Sequence, residues 1–475
     1  MLCSPVKTRS RRPLTLGLTV TFFMCVTACS STQPIGSDTA TQPRASATIQ
    51  PSGPWRGPLN MAGANDILLT IGDTAIIGGD QTLTGVNLDD LSVLWTIHTN
   101  WVLPILGDAT GLAVTTNNNI TVYDPGSGAV IGQAPLTARP TQPSDSTPPT
   151  PNSTDATAAP SDAPSDAGTP GSSFTAPTAP NTPPVVWESL YWAGSGLVLV
   201  GNASDGSVCA RKMTDPGTCL WTAPNLWLPA ADFVGTSSYV IAGRWVNTGQ
   251  GVVDIATGKP APFGADAGMR TGHPVYYYGQ TPDRLFRMTS PDQLQRAGAG
   301  TAQPWDATAD QPISTAVPAD TVSADPSSSV FISTVNQGDD ADTVTAYSWA
   351  SGQQSWTQDN LFQWNTQIGL SGTIFAATAY SSSTHEQDML LLDAATGQEI
   401  ARYPAAIGTP FPGSAAVNGK VYVGADSVVA YDNQTGAKQS LASLPEQLNQ
   451  AWDFVATPKH VALLSVSQNL WVMDL

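Results

Sequence analysis

Lysine is nearly missing from this chain. Six occur among 475 residues, and Asp, Glu, Lys and Arg together make up only 12%. A mainly helical protein of this size needs Leu, Glu and Lys repeated at helical spacing, and that supply is absent. Basic surface is also missing. Four of the 19 basic residues (Lys7, Arg9, Arg11, Arg12) precede position 29, so 15 face 37 acidic residues beyond it, a net of −22. Phosphate binding needs a basic face, which argues against nucleic acid as a partner and leaves a self-repelling, soluble surface. After the first 28 residues no run of 18 apolar residues occurs, so no later segment reads as a membrane-spanning helix.

Catalytic signatures are equally thin. The four histidines (His98, His273, His385, His460) form no HExxH, and no two lie within five residues. A lone histidine in a β-turn reads as a polar surface residue. Gly194-Ser195-Gly196 lacks the spacing of a nucleophile elbow. Asp339-Asp340-Ala341-Asp342 gathers carboxylates that calcium uses. A solvated hairpin loop is the favoured reading of it, and no metal or cofactor site is assigned.

What is there is a phrase. Met389-Leu390-Leu391-Leu392-Asp393 is an apolar run ending in aspartate, and Gly397 follows four residues later. Asp124 with Gly128, Asp254 with Gly258 and Asp432 with Gly436 repeat it. The apolar run reads as a strand. The aspartate accepts backbone amides of a turn, and the glycine supplies positive φ. Each phrase is therefore strand, tight turn, strand, and Asp393 reads as a structural cap.

Residues 1–28 read as a targeting segment, with a basic start and an apolar stretch from Leu14 to Val26. Val26-Thr27-Ala28-Cys29 resembles a bacterial lipobox, which implies cleavage before Cys29 and lipid attachment to its sulfur. Ser10-Arg11-Arg12-Pro13-Leu14 partially resembles a twin-arginine signal, and the export route stays open. Residues 29–54, rich in Ser, Thr, Gln and Pro, read as a disordered tether. These features place the protein on the cell membrane, lipid-anchored at its extracytoplasmic face.

Strand units begin at Trp55 and recur about every 40 residues. Asp393 and Asp432 lie 39 apart, and Asp432 and Asp474 lie 42 apart. Four short strands at that period are what an all-β, β-propeller architecture needs. Residues 137–184 break the pattern with Pro, Ser, Thr, Ala and Asp, and read as a disordered insertion within a propeller spanning 55–475. The set around Val275–Tyr278, Arg284–Met288 and Leu294–Ala297 is the least regular. Eight blades is the favoured count, with seven or nine open. The last set has three strands, and the Trp55–Leu59 region is the candidate to complete it.

These units resemble the quinoprotein-type, or PQQ-like, repeat. Tyr431-Asp432-Asn433-Gln434-Thr435-Gly436 fits its turn, and Trp95 and Trp356 fit its outer-strand tryptophan. The resemblance implies that Trp95, Trp221 and Trp356 pack between neighbouring blades. Trp101, Trp227, Trp245 and Trp364 sit in less regular places and are better candidates for exposed contacts. The dehydrogenases of that class carry adjacent cysteines over their cofactor. This chain has none, so the cofactor is not carried across. With Cys29 lipidated, Cys209 and Cys219 remain across a Thr214-Asp215-Pro216-Gly217 turn, and a disulfide is expected between them. The resulting expectation is a lipid-anchored, non-enzymatic propeller that docks an unidentified cell-envelope protein. The alternative is a ligand-binding or enzymatic propeller acting on an envelope carbohydrate or redox substrate.

Overall fold

A computed structural model describes residues 54–475 apart from 117–118, 137–187, 203–206, 224–239, 249–250, 271–272, 282–283, 290–299, 337–341, 363–368, 382–385, 406–411 and 445–450. Cys29, the targeting and tether segments before residue 54, the 137–184 insertion, Trp227, Trp364, His385, Asp339 and Asp340 lie outside the described residues. Every element among the described residues is a strand, and the strands form nine antiparallel sheets.

Six sheets have four strands each. In the first, Ala64–Ile71, Thr74–Gly79, Thr82–Asn87 and Val93–His98 pair in order. The second strand of a sheet is buried on both faces, as in Thr74–Gly79 and His460–Ser465. That is why these strands read as continuous apolar runs and not as alternating ones. The outer strand Gln354–Asp359 buries Trp356 and leaves most of its other residues at least partly exposed, so it reads polar.

Consecutive residues on a strand point to opposite faces, and each face meets a different neighbour. Ile76 packs with Leu112 of the second sheet, whereas Ala75 and Ile77 pack with Ala462 and Leu464 of the ninth. Nine such clusters fill nine gaps. Ala113 meets Val198, Leu199 meets Val246, Val252 meets Tyr277, and Phe286 meets Phe331. Ile332 then meets Phe375, Ile374 meets Val421, and Tyr422 meets Val461. The clusters form a cycle, so the sheets are blades of a closed nine-bladed ring. The count favoured from spacing, eight, is one short.

The missing blade is the irregular one. The fourth sheet holds only Val240–Ile241, Trp245–Thr248 and Gly251–Asp254. The segment after it stands in for an outer strand: Val253 bridges Pro260, and the Ala261 amide donates to Val252 O at 2.8 Å. The fifth sheet runs Gly268–Arg270, His273–Thr281, Arg284–Thr289 and Thr301–Asp306. Two short pieces, Gln311–Pro312 and Val317–Pro318, then pair with Thr301–Asp306.

Closure follows the expectation for the last unit. Trp55–Asn60 pairs antiparallel with Asn469–Asp474, giving the ninth sheet its fourth strand. The Trp55 indole N–H donates to Ser443 O at 2.9 Å, across to the eighth blade.

Candidate functional site

The repeated turn accounts for most of its own polar atoms. Asp393 Oδ1 accepts from the Ala395 and Thr396 amides and the Thr396 hydroxyl at 3.1, 2.8 and 2.8 Å. Asp124, Asp254 and Asp432 accept in the same way. At Asp254 burial works to raise the carboxyl, but the Arg244 guanidinium and the Thr257 donors hold it below the ordinary range. These aspartates are committed to their turns.

The tryptophans on the outer strands are committed as well. Each indole N–H reaches the next blade and donates to the carbonyl just after its turn aspartate: Trp95 to Pro125 at 2.9 Å, Trp221 to Ile255 at 2.8 Å and Trp356 to Ala394 at 2.8 Å. The ring face lies on that turn's glycine. A Cβ on Gly128, Gly258 or Gly397 would stand 2.7, 2.5 or 2.8 Å from ring carbons. These three residues therefore pack between neighbouring blades, as expected.

Two of the tryptophans expected as exposed contacts are not exposed. Trp101 is half-buried, with its N–H donating to Gly79 O and Thr82 O at 3.0 and 3.1 Å. Trp245 is buried and meets Phe263 edge-on at 5.7 Å. The row continues through Tyr277 to Trp305. Its polar end is a small network in which the Tyr277 hydroxyl donates to Asp266 Oδ1 at 2.8 Å and Arg287 Nε donates to Asp266 Oδ2 at 2.7 Å. Burial and the bond to Asp266 raise the Tyr277 phenol far above its usual range. Asn247 completes the join, its side chain exchanging two hydrogen bonds with the Tyr277 backbone at 2.7 and 2.8 Å. The irregular fourth and fifth blades are thus tied by aromatic packing and a buried amide.

Cys209 and Cys219 are bonded to each other, on the third blade. Arg211 Nε lies 3.2 Å from Cys209 Sγ, and its Nη1 donates to Pro216 O at 3.1 Å, so the hairpin turn is pinned from inside. Asp342, the described member of the acidic stretch, is buried on the sixth blade. Burial and the charge of Asp320 push its carboxyl up to about 6. Thr334, diagonal to it on the neighbouring strand, has a buried hydroxyl without a hydrogen-bond partner.

The densest polar cluster is one that sequence reading did not find. His460 is 4% exposed, which corrects its assignment as a surface residue. It starts the strand that follows the Thr457–Lys459 turn, and its Nδ1 lies 3.0 Å from Asp474 Oδ1. Its Nε2 lies 2.9 Å from Asp89 Oδ1 on the first blade. Arg56, on the closing strand, reaches Asp474 Oδ1 at 2.5 Å and donates to the Asp89 and Leu88 carbonyls. Asp73, Asp89 and His460 present ligand atoms within 4.8 Å of one another, a spacing that suits a metal ion. Lys459 Nζ stands in that space, 2.5 Å from Asp73 Oδ2 and 3.8 Å from Asp89 Oδ1. The residues present therefore supply their own cation, and the cluster reads as an interblade ion network.

No family model and no curated protein matches the chain. Solved structures do overlap it. BamB from Moraxella catarrhalis does so at TM-score 0.40 and 11% identity, over 92% of this chain and 100% of that one. A computationally designed protein, Ika8, overlaps at TM-score 0.41 and 12% identity, over 88% and 98%. Dihydro-heme d1 dehydrogenase NirN overlaps at TM-score 0.40 and 10% identity, over 73% and 66%. The nine-bladed ring rests on strand pairing and the cycle of buried clusters, not on these overlaps.

Proposed function

We propose that this chain is a membrane-anchored, extracytoplasmic lipoprotein whose propeller is a non-catalytic platform for docking another envelope protein. The observation that carries the reading is how the polar side chains are used. The turn aspartates cap turns, the outer tryptophans bind the next blade, and the buried histidine and arginines join strands and sheets. A ring built this way leaves its loops and blade rims for recognition, and closed propellers offer them on two broad faces. The strongly acidic composition favours a partner with a basic patch and steers it at long range. The Cys209–Cys219 bond supports an oxidising compartment, and the Cys29 lipobox supplies the anchor.

The test is crosslinking in intact cells followed by detergent extraction and mass spectrometry, with Cys29→Ala as the comparison. The expected result is a lipid-labelled, membrane-bound wild type that captures one envelope protein reproducibly. The variant should be soluble and unlabelled. Capture of no protein, together with saturable binding of an envelope sugar or redox compound, would replace the docking role with a ligand-binding one.

A further inference from the structure

The Cys209–Cys219 bond has two unlike ends. Cys209 lies on Val208–Lys212, the third strand of its blade, and is 7% exposed. Cys219 lies on the outer strand Asp215–Ala223 and is exposed, as are Gly217, Thr218 and Leu220 around it. The ladder between these two strands skips Pro216, Gly217 and Thr218, and then Leu220, so it is interrupted on both sides of Cys219. Thiol–disulfide exchange has a direction, because one sulfur is attacked and the other leaves with the electron pair. A thiol arriving from solvent meets Cys219, on a stretch of strand with few ladder bonds.

The surroundings of the other sulfur suit a leaving group. Arg211 is 6% exposed, and its Nε lies 3.2 Å from Cys209 Sγ. Its Nη1 donates to Pro216 O at 3.1 Å, which fixes the guanidinium in place. A sulfur in a disulfide is uncharged and accepts a hydrogen bond weakly. A thiolate is stabilised by a cation beside it and accepts strongly from a guanidinium. The Nε–H therefore gains little from Cys209 while the bond is intact and most once Cys209 carries the charge. Burial and the guanidinium give the same polarity: Cys219 is the sulfur attacked, and Cys209 is the sulfur that leaves.

We infer that Cys209–Cys219 is an exchange site for a protein dithiol, entered at Cys219. One thiolate of the dithiol bonds to Cys219 Sγ, the Cys209–Cys219 bond breaks, and its electron pair goes to Cys209, whose thiolate Arg211 holds. The second thiol of the same partner gives its proton to solvent and attacks the partner's own sulfur in the mixed disulfide. Cys219 leaves with that electron pair and takes a proton from water. Both cysteines end reduced, and the partner's dithiol ends as a disulfide. Run in reverse, the same steps let an oxidised dithiol partner restore the bond.

The experiment has two readouts on the whole, folded protein. Glutathione serves as a monothiol probe, with early acid quenching and peptide mapping of the mixed disulfide. It should be found on Cys219, with Cys209 free, in an excess of about ten-fold over the reverse. The second readout is the rate of reduction by dithiothreitol. Loss of the guanidinium in Arg211→Gln should slow it about ten-fold, and Arg211→Lys should recover part of the rate. A purely structural Arg211 predicts the opposite sign, because removing it loosens the hairpin and opens the bond to attack. Glutathione on Cys209 or spread evenly, reduction of the wild type only after unfolding in urea, or an Arg211→Gln protein reduced as fast as the wild type or faster would overturn the exchange site. If Arg211→Gln fails to fold, the glutathione map of the wild type still decides the direction of attack.

Discussion

Glycine at the fourth position after a turn aspartate meets two different demands, and the copies separate them. Gly397 and Gly436 share nearly the same backbone, at φ 72° and 68°. A Cβ on Gly436 would meet only Ile400 Cδ1, at 3.7 Å, whereas one on Gly397 would stand 2.8 Å from the Trp356 ring. Gly436→Ala therefore carries the left-handed backbone cost alone, about 1 kcal/mol. Gly397→Ala adds displacement of the indole and loss of its bond to Ala394, and should cost at least about 2 kcal/mol. Urea unfolding of the pair checks the difference, and equal midpoints would show that the tryptophan moves freely. Asp342 gives a pH prediction at the same scale. Its carboxyl is raised to about 6 from an ordinary 3.8, so the folded state holds the proton more tightly than the unfolded chain. Folding stability contributed by this group is present below the lower value and is lost as pH rises toward the upper one. Asp342→Asn should flatten stability between pH 4 and 6 and raise it at pH 7.5 by roughly 1 kcal/mol. A variant with an unchanged pH slope, measured by thermal melting across that window, would assign the slope to other carboxylates.

At the scale of the element, the turn explains what the sequence made readable and what it hid. Blades whose turn keeps Asp and Gly were found at once, because both residue types announce the backbone they serve. Two turns reach the same left-handed fourth position without glycine. The first blade uses Asn87 and Leu91, with Leu91 at φ 58°, and the fifth uses Asp306 and Asp310, with Asp310 at φ 50°. Asp306 still caps its turn through the Thr308 and Ala309 amides. The first blade is legible from its strands all the same, whereas the fifth set reads with Leu294–Ala297, outside the described residues, where the structure has Thr301–Asp306, and that irregularity is why eight is favoured over nine. The His460 cluster was hidden for a different reason. Two of its partners, Asp89 and Arg56, lie 371 and 404 residues away, and no local pattern reports on contacts made only when a ring closes. The Cys209–Cys219 bond was readable because ten residues and one turn separate its ends. Closing so small a loop should stabilise the third blade by about 2–3 kcal/mol. Cys219→Ser should lower the denaturation midpoint accordingly. Wild type in reductant should match it, and any remaining gap would measure the packing of Cys219 itself.

For the whole molecule, the decisive property is that the nine gaps form a cycle. In an open array of repeats, each end has one neighbour, and terminal units fray independently. Here the ninth blade is closed by pairing from Trp55–Asn60 and by Trp55, which is buried against both the eighth and ninth blades. Every blade therefore has two neighbours, and none can leave without exposing two apolar gaps. Calorimetry of the wild type should show one cooperative transition, although the chain is far longer than most two-state domains. Trp55→Ala removes a buried indole and its bond to Ser443 from the closing strand, at a cost of about 3–5 kcal/mol. If closure couples the blades, this change should split or broaden the single transition and release the eighth and ninth blades first, seen as early loss of exchange protection across residues 420–432 and 460–474. A variant that melts lower but still in one sharp step would mean that the interblade clusters hold the ring together without the closing strand. The cycle would then be a consequence of the fold and not the source of its cooperativity.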